Sequence, residues 1–325
     1  MRKTVDIDID KLIEGIDRIG DSEPELVAAS RFVLEMKLRE RILDRMKISV
    51  PFCYHLYVLS KANAARCTTP CLFERNKVVF SLVVEPQDKK EYARRWGHER
   101  LILLPENNKG LSYARCYVRD YSAGIGEEKH WQLDDDISGF SMNGEETEWI
   151  TTAVHPSRAF YLVESSCEKY SNIACAAPSN SSFPPKKKGG EEILFNKLVA
   201  SCFLVDNRID CFRWSIDRVE DIDYCMEVLT SGLCTLKFAN VFFGKANDLS
   251  VSGNYSKLDL YQKAKAEIMA KWPGVFKVNR LGRLRSNIWI RFRQRPKTYE
   301  EMSLEEVFRM VENRRKQRKI NKGFL

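Results

Sequence analysis

The stretch "HWQLDDDISGF", from His130 to Phe140, decides how the rest of the chain is read. It begins as an apolar strand entering a core, then sets Asp134, Asp135 and Asp136 side by side where that strand stops. Adjacent carboxylates repel one another and are costly to bury without cations or donors. Side chains alternate along a strand, so Asp134 and Asp136 share one face and Asp135 points the other way. In a parallel α/β sheet, ligands bind beyond the carboxyl ends of the strands. Two carboxylates projecting there match the oxygen ligands that Mg²⁺ or Mn²⁺ takes beside a substrate phosphate. The plainer alternative is a solvated acidic turn, or Asp135 capping the next segment; the strand-end position favours the functional reading.

Upstream of this run the chain alternates strand and helix. "YHLYVL" and "KVVFSLVVE" read as short strands, "QDKKEYARRWG" as a helix stopped by Gly97, and "RLILL" as a buried strand. "GLSYARCYVRDYSAG" follows as a helix with Ala114, Tyr117, Val118 and Tyr121 on one face. Strand and helix recurring about every twenty residues predict α/β architecture, a mostly parallel Rossmann-like sheet flanked by helices. Between "RLILL" and that helix, Asn107, Asn108, Lys109 and Gly110 form a loop that offers backbone donors, a helix end and a lysine to an anion. An ordinary turn is its plain alternative. Arg115, one turn into the helix, is expected to reach the same crevice.

The second half is less regular. "PSRAFYLVESSCEKY" predicts a helix, "NIACAA" a strand, "PSNSSFPPKKKGG" (178–190) a surface loop and "LFNKLVASCFLVD" further β structure. "RVEDIDYCMEVLTSG" predicts a helix with Glu220 and Asp221 at its start and Ile222, Cys225, Met226 and Leu229 on its core face. Acids at a helix N-terminus are common for dipole reasons alone. The functional alternative is that one of them takes a proton from an attacking hydroxyl. "LCTLKFANVFF" predicts a strand, "YSKLDLYQKAKAEIMAKW" a helix ending before Pro273, and "SNIWIRFRQ" an alternating strand. Ser303 with Glu306 makes a capping box that opens the last helix.

Three regions are expected: a helical extension over 1–49, containing a helix over 23–46; a catalytic domain over 50–300; and a basic C-terminal helix over 301–325. The catalytic domain is expected to divide into a donor half at about 50–140 and an acceptor half at about 141–300. The chain has 325 residues, 44% hydrophobic and 30% charged, which describes an ordinary folded protein. No apolar run is long enough to span a bilayer, and "MRKTVDIDIDKLIEG" lacks the apolar core of a secretory signal, so a cytoplasmic protein is expected. The ten cysteines form no CxxC pair and the four histidines lie far from them, which argues against a zinc site or a disulfide framework. Net charge is +8 and unevenly spread. The tail "RMVENRRKQRKINKGF" and the run "NRLGRLRSNIWIRFRQRPK" suit a polyanionic partner, or simply a solvated basic surface.

In order, "LVVEP", "LPENNKG", "HWQLDDDI" and "EDIDYC" resemble the GT-A nucleotide-sugar glycosyltransferases, and most closely the TET-associated glycosyltransferases of tailed bacteriophages. The resemblance runs from about Phe52 to Asn254. It implies a nucleotide-diphosphate sugar donor, a UDP-sugar first, a divalent metal, Mn²⁺ or Mg²⁺, at a DxD motif, and 5-hydroxymethylcytosine in DNA as the acceptor. Carried over, Asp134 falls near the donor's ribose or sugar and Asp136 at the metal, with Asp134 its expected co-ligand. Asn108, Gly110 and Arg115 match the donor-binding loop and helix; Ser60, Lys109 and Asp135 complete the expected donor set. Asp221, with Glu220 beside it, matches the catalytic base. A further metal ligand is open, with Asp248 and Asn254 as candidates, and Arg115-Cys116 stands where many relatives have arginine–asparagine. Trp289, Arg291, Arg293, Arg314, Arg315 and Lys316 are the nucleic-acid candidates. Rival readings are a glycosyltransferase with a protein, lipid or glycan acceptor, a nucleotidyltransferase, and a non-catalytic nucleic-acid-binding module.

Overall fold

The first strand, β1 (Leu56–Leu59), is buried at every position, the pattern of a parallel strand covered on both faces. After it come α1 (Thr68–Arg75), β2 (Ser81–Val84), α2 (Lys89–Trp96), β3 (Leu101–Leu103), α3 (Leu111–Gly124) and β4 (Lys129–Asp134). Next are β5 (Ile137–Asn143), β6 (Thr151–Val154), α4 (Pro156–Cys167), β7 (Ile173–Asn180), β8 (Ile193–Phe195) and β9 (Cys202–Asp206). The chain closes with α5 (Glu220–Thr230), β10 (Cys234–Lys245), α6 (Tyr255–Lys271), β11 (Phe276–Val278), β12 (Leu284–Ser286) and α7 (Leu304–Lys322). This computed structural model describes residues 47–143, 151–182, 192–209, 212–246, 255–280, 284–286 and 292–322. The expected helix over 23–46, most of the 178–190 loop, and Asp248, Asn254, Trp289 and Arg291 lie outside them.

Ten strands form one sheet in the order β3-β2-β1-β4-β9-β7-β10-β5-β6, with β8 on β10. The four strands β3, β2, β1 and β4 are parallel, as the strand–helix alternation predicts. Strand β9 runs antiparallel between β4 and β7, and β10 is parallel to β7. Hence β1, β4, β7 and β10 all point their carboxyl ends to one edge. Chain order reverses between β1 and β4, so the crevice expected of such sheets opens beside the last residue of β4. Leu59 pairs with Asp134 there, which sets Ser60 and the aspartate run on the same edge.

Helix α3 covers this half of the sheet. Ala114 and Val118 pack against Tyr57, Leu59, Val83 and Leu104. Tyr121, expected on that face, is 37% exposed, and Tyr117 is only partly buried. A second row, Ser112, Arg115, Arg119 and Ser122, is buried instead. The helix is therefore enclosed on two sides, one of them polar.

Other departures are local. Helix α1 and strands β5, β6 and β11 carry no strong periodic signal and are additions to the predicted plan. Pro178–Asn180 extend β7 rather than opening a loop. The Ser303–Glu306 capping box forms reciprocally, at 2.7 and 3.2 Å, and α7 lays Val307 and Val311 into a core with Phe203, Trp214 and Tyr224. All these elements lie within one compact unit, Val50–Leu325. Among the described residues, the cysteines are free thiols, and no helix is long and apolar enough to cross a membrane.

Candidate active site

The aspartate run is a turn between β4 and β5 clamped by the first turn of α1. The Thr68 and Thr69 amides donate to the Asp135 carbonyl at 2.9 and 3.0 Å, and the Thr69 hydroxyl donates to the Asp134 carbonyl at 2.7 Å. Its three carboxylates diverge as strand alternation predicts. Asp135 turns back beneath β1, where its Oδ2 accepts from the Ser60 hydroxyl and from Asn63 Nδ2 at 3.1 Å. Ser60 also meets the Tyr92 hydroxyl at 2.5 Å and is itself buried. Ser60 and Asp135, both expected on the donor, are thus engaged with each other and hold the turn in place.

Asp134 and Asp136 face the crevice together, and one cation joins them. Lys245 Nζ lies 2.8 Å from Asp134 Oδ2 and 3.0 Å from Asp136 Oδ1. Lys245 ends β10, whose carboxyl end reaches the same edge. A bulge positions it: Gly244 pairs with Gly139 but Lys245 pairs with Ile137, leaving Ser138 as the extra residue. The Ala246 amide then donates to the Asp136 carbonyl at 2.8 Å.

Behind Asp134 lies Arg115, wholly buried, with Nη2 at 2.8 Å from Asp134 Oδ1. The same Nη2 is 3.7 Å from Glu220 Oε1 and 3.6 Å from Asp221 Oδ1, and the guanidinium sits over the Phe203 ring. This corrects one expectation: Arg115 does not project into the crevice but forms its floor, tying the strand-end aspartate to the start of α5. Burial opposes ionisation of Asp134, yet Arg115 and Lys245 together hold its pKa below the ordinary value. For Asp221 burial wins over Arg115, aided by Glu220 and Asp134, and its pKa is pushed up to about 7. Glu220 is raised for the same reason, burial first. Asp136 is raised mainly by burial, against Lys245. A half-enclosed carboxyl that titrates near neutrality is suited to accept a proton.

Two further residues complete the site and were not singled out from the sequence. Ser201, at a left-handed φ of 65°, accepts the Asp134 amide on its carbonyl at 2.8 Å. Asp217 takes the N-terminus of α3: its Oδ1 accepts from the Ser112 amide at 2.8 Å. Gly110 is required there, because a Cβ would lie 1.8 Å from Asp217 Oδ2 and its φ is 92°. The strand-end logic applied to Asp134 would have found Lys245, a lone lysine closing "ANVFFGK". Nothing local marks Ser201 or Asp217.

The loop over 107–110 is pinned rather than open. The Asn108 amide donates to Glu85 at 2.9 Å, and Asn108 Oδ1 accepts from Lys61 at 2.7 Å. Lys109 pairs with Glu106 at 2.9 Å and is half exposed. Its neighbouring helix end is occupied by Asp217, so the anion cradle expected there already holds a carboxylate. Among the nucleic-acid candidates, Arg293 is exposed and Lys316 pairs with Glu312 at 3.0 Å along α7, the helix that carries Arg314 and Arg315.

The divalent ion expected from the sequence does not fit this donor set as it stands. The space between Asp134 and Asp136 holds an ammonium in contact with both. No group of three or more His, Cys, Asp or Glu suited to a metal occurs among the described residues.

The site thus joins a carboxylate pair at a parallel strand end to an acid-started helix through a buried arginine. The model of the TET-associated glycosyltransferases matches residues 54–254, more than half of the chain. The chain belongs to the TET-associated glycosyltransferases. It is accordingly a glycosyltransferase. Among solved structures it is similar to a nucleotide-diphospho-sugar transferase from Desulfovibrio desulfuricans G20, at 9% identity and a TM-score of 0.34, covering 67% of this chain and 97% of that one. It is also similar to the glycosyltransferase GlyE of Streptococcus pneumoniae TIGR4, at 11% identity and a TM-score of 0.26, covering 66% of this chain and 44% of that one. No curated protein sequence matches the chain. Family membership favours glycosyl transfer over the nucleotidyltransferase and non-catalytic readings.

Proposed function

We propose that this TET-associated glycosyltransferase moves a sugar from a nucleotide-diphosphate donor, a UDP-sugar first, to the hydroxymethyl group of 5-hydroxymethylcytosine in DNA. The observation that carries the reading is the convergence on one sheet edge of a cation-bearing carboxylate pair and a carboxyl, Asp221, raised to about 7. The first arrangement suits a diphosphate-linked donor; the second suits removal of an alcohol proton. In the single displacement proposed, the acceptor oxygen attacks the anomeric carbon and forms the new glycosidic bond. The bond from that carbon to the diphosphate oxygen breaks, and the nucleoside diphosphate leaves with the electron pair. The acceptor's hydroxyl proton passes to Asp221. A primary alcohol is a weak nucleophile at neutral pH, which is why a base is placed here.

A base within duplex DNA must leave the stack to reach such a crevice. A groove of about 460 Å³ lined by Pro86, Gln87, Lys89, Lys90, Ala93, Arg94 and His98 runs along α2, from the segment that follows β2. Its cations are suited to the DNA backbone, as are the basic residues of α7. A DNA acceptor also puts the reaction in the cytoplasm.

The test is transfer of radiolabel from a panel of nucleotide sugars to hydroxymethylated and plain DNA of one sequence. Label on the hydroxymethylated DNA alone, lost in Asp221→Asn, is the expected result. Label on protein or glycan with none on DNA would replace the acceptor. A retained anomeric configuration would remove Asp221 as the base of a single displacement.

A further inference from the structure

The aspartate pair at the sheet edge already holds a side-chain ammonium. Asp134 faces two fixed cations, Arg115 at 2.8 Å on one oxygen and Lys245 at 2.8 Å on the other; Asp136 shares Lys245 at 3.0 Å. Asp134 therefore meets two side-chain cations, of which the wholly buried Arg115 is shared with Glu220 and Asp221, while Lys245 is the one cation in contact with Asp136 among the described residues. A divalent ion seated on these oxygens would displace an ammonium that both carboxylates already contact. An ammonium has three N–H donors. One of them donates to Asp134, Asp136 is held in ion-pair contact at 3.0 Å, and with 28% of the Lys245 side chain exposed the ammonium also faces the crevice.

We propose that Lys245 is the resident cation of this site: its ammonium, held by Asp134 and Asp136, takes the donor's diphosphate and offsets the charge on the departing nucleoside diphosphate without a divalent ion. This rests on the glycosyltransferase reading and names the group that performs one of its steps. No proton is transferred by Lys245, which stays an ammonium throughout. The diphosphate oxygen that loses its bond to the anomeric carbon gains a hydrogen bond to Nζ. The β-bulge at Ser138 is the device that sets the strand end to do this, and Gly244 keeps the bulge open. A Cβ on Gly244 would come within 3.2 Å of Ser138 Oγ.

Two measurements on the full chain test it, neither relying on turnover. In the first, Mn²⁺ alone is titrated into EDTA-stripped protein and followed by electron paramagnetic resonance. The wild type is expected to leave Mn²⁺ free, and K245A to gain one bound ion that is lost again in K245A/D136N. A bound ion in the wild type that disappears in D136N overturns the proposal. In the second, UDP, GDP, CDP and ADP are titrated calorimetrically in EDTA and in Mn²⁺. One of them is expected to bind wild type equally in both, about 10- to 100-fold more weakly to K245A in EDTA, and with most of its affinity restored in K245R. That range is what one charge-assisted hydrogen bond carries. Binding to wild type only in Mn²⁺, or unchanged binding to K245A, overturns Lys245 while leaving the glycosyltransferase reading intact. Binding of no nucleotide in either buffer counts against that reading instead, and the Mn²⁺ titration still decides the lysine. If K245A fails to fold, wild type, K245R and D136N carry both measurements.

Discussion

Replacing Asp221 with asparagine should make the protein more stable as it destroys its activity, and the gain should grow with pH. The carboxyl has an ordinary pKa of 3.8 and one of about 7 in the folded chain, because burial there opposes its charge more strongly than Arg115 supports it. A raised carboxyl means that the folded state keeps a proton which the unfolded chain releases above pH 3.8. The contribution of Asp221 to stability therefore falls as pH rises from about 4 to about 7, and is flat beyond. The two affinities differ by about three powers of ten, each worth about 1.4 kcal/mol, so the full penalty is about 4 kcal/mol. Asparagine removes the titration while keeping the size of the side chain. Arg115 is not abandoned, since Asp134 remains 2.8 Å and Glu220 3.7 Å away.

The assay is urea unfolding of both proteins at intervals between pH 4 and pH 8.5, read as the difference in free energy at each pH. That difference should be near zero at the acid end and approach 4 kcal/mol in favour of Asp221→Asn above pH 7.5. The same window should appear in the wild-type rate, rising towards a plateau above about pH 7, with the variant about 10² to 10⁴ slower. A stability difference that does not change with pH, or a wild type more stable than the variant at pH 8, would refute the argument for a raised carboxyl.

The remaining predictions concern the site's supports. Arg115→Met should lower stability by about 3–5 kcal/mol in urea unfolding, because it leaves Glu220 and Asp221 buried with no cation beneath them and Asp134 with Lys245 alone; Arg115→Met within about 0.5 kcal/mol of wild type would contradict that role. Gly110→Ala should lose about 1–3 kcal/mol from its φ of 92° alone, and Asp217→Ala should not restore it, since removing the carboxylate relieves the clash but not the dihedral. Changing Lys89, Lys90 and Arg94 together to glutamine should weaken DNA binding and flatten its salt dependence by up to about 0.9 for each phosphate no longer neutralised. An unchanged slope in a salt titration would take the groove out of the DNA path.

The sequence carried those parts of the fold whose signal is local. Buried strands such as "LYVL", the alternation up to "HWQLD", and the capping box at Ser303 each declare themselves within a dozen residues, and the structure has all three. Helix α1 was illegible because eight residues beginning "TTPC" hold too few apolar positions to set a period, although its first turn grips the aspartate run. Strands β5 and β6 were illegible for a related reason. Their residues mix glycine, serine and threonine, and the pairing with β10 depends on a bulge no pattern announces. Arg115 was misplaced by a reasonable rule, that arginines seek water or ligands. Burial under three carboxylates is a property of the assembled site, not of the helix that supplies it.

The same distinction explains what the aspartate run could and could not reveal. Three adjacent acids at a strand end say correctly that something positive must come to them, and strand alternation says correctly which two share a face. Neither says what the positive charge is, since that depends on Arg115, 19 residues upstream, and on Lys245, 111 residues downstream. With its cations withheld the run calls for a metal; with them in place Asp134 is held ionised and the carboxyl left under-compensated is Asp221. Arg115 reaches that group only at 3.6 Å, having given its close contact to Asp134. The raised carboxyl of Asp221 is thus a consequence of how two cations are divided among four acids. A change that moves Lys245 off Asp134 should shift the pH dependence of the reaction as well as its rate, because Arg115 would then answer to Asp134 more fully and to Asp221 less.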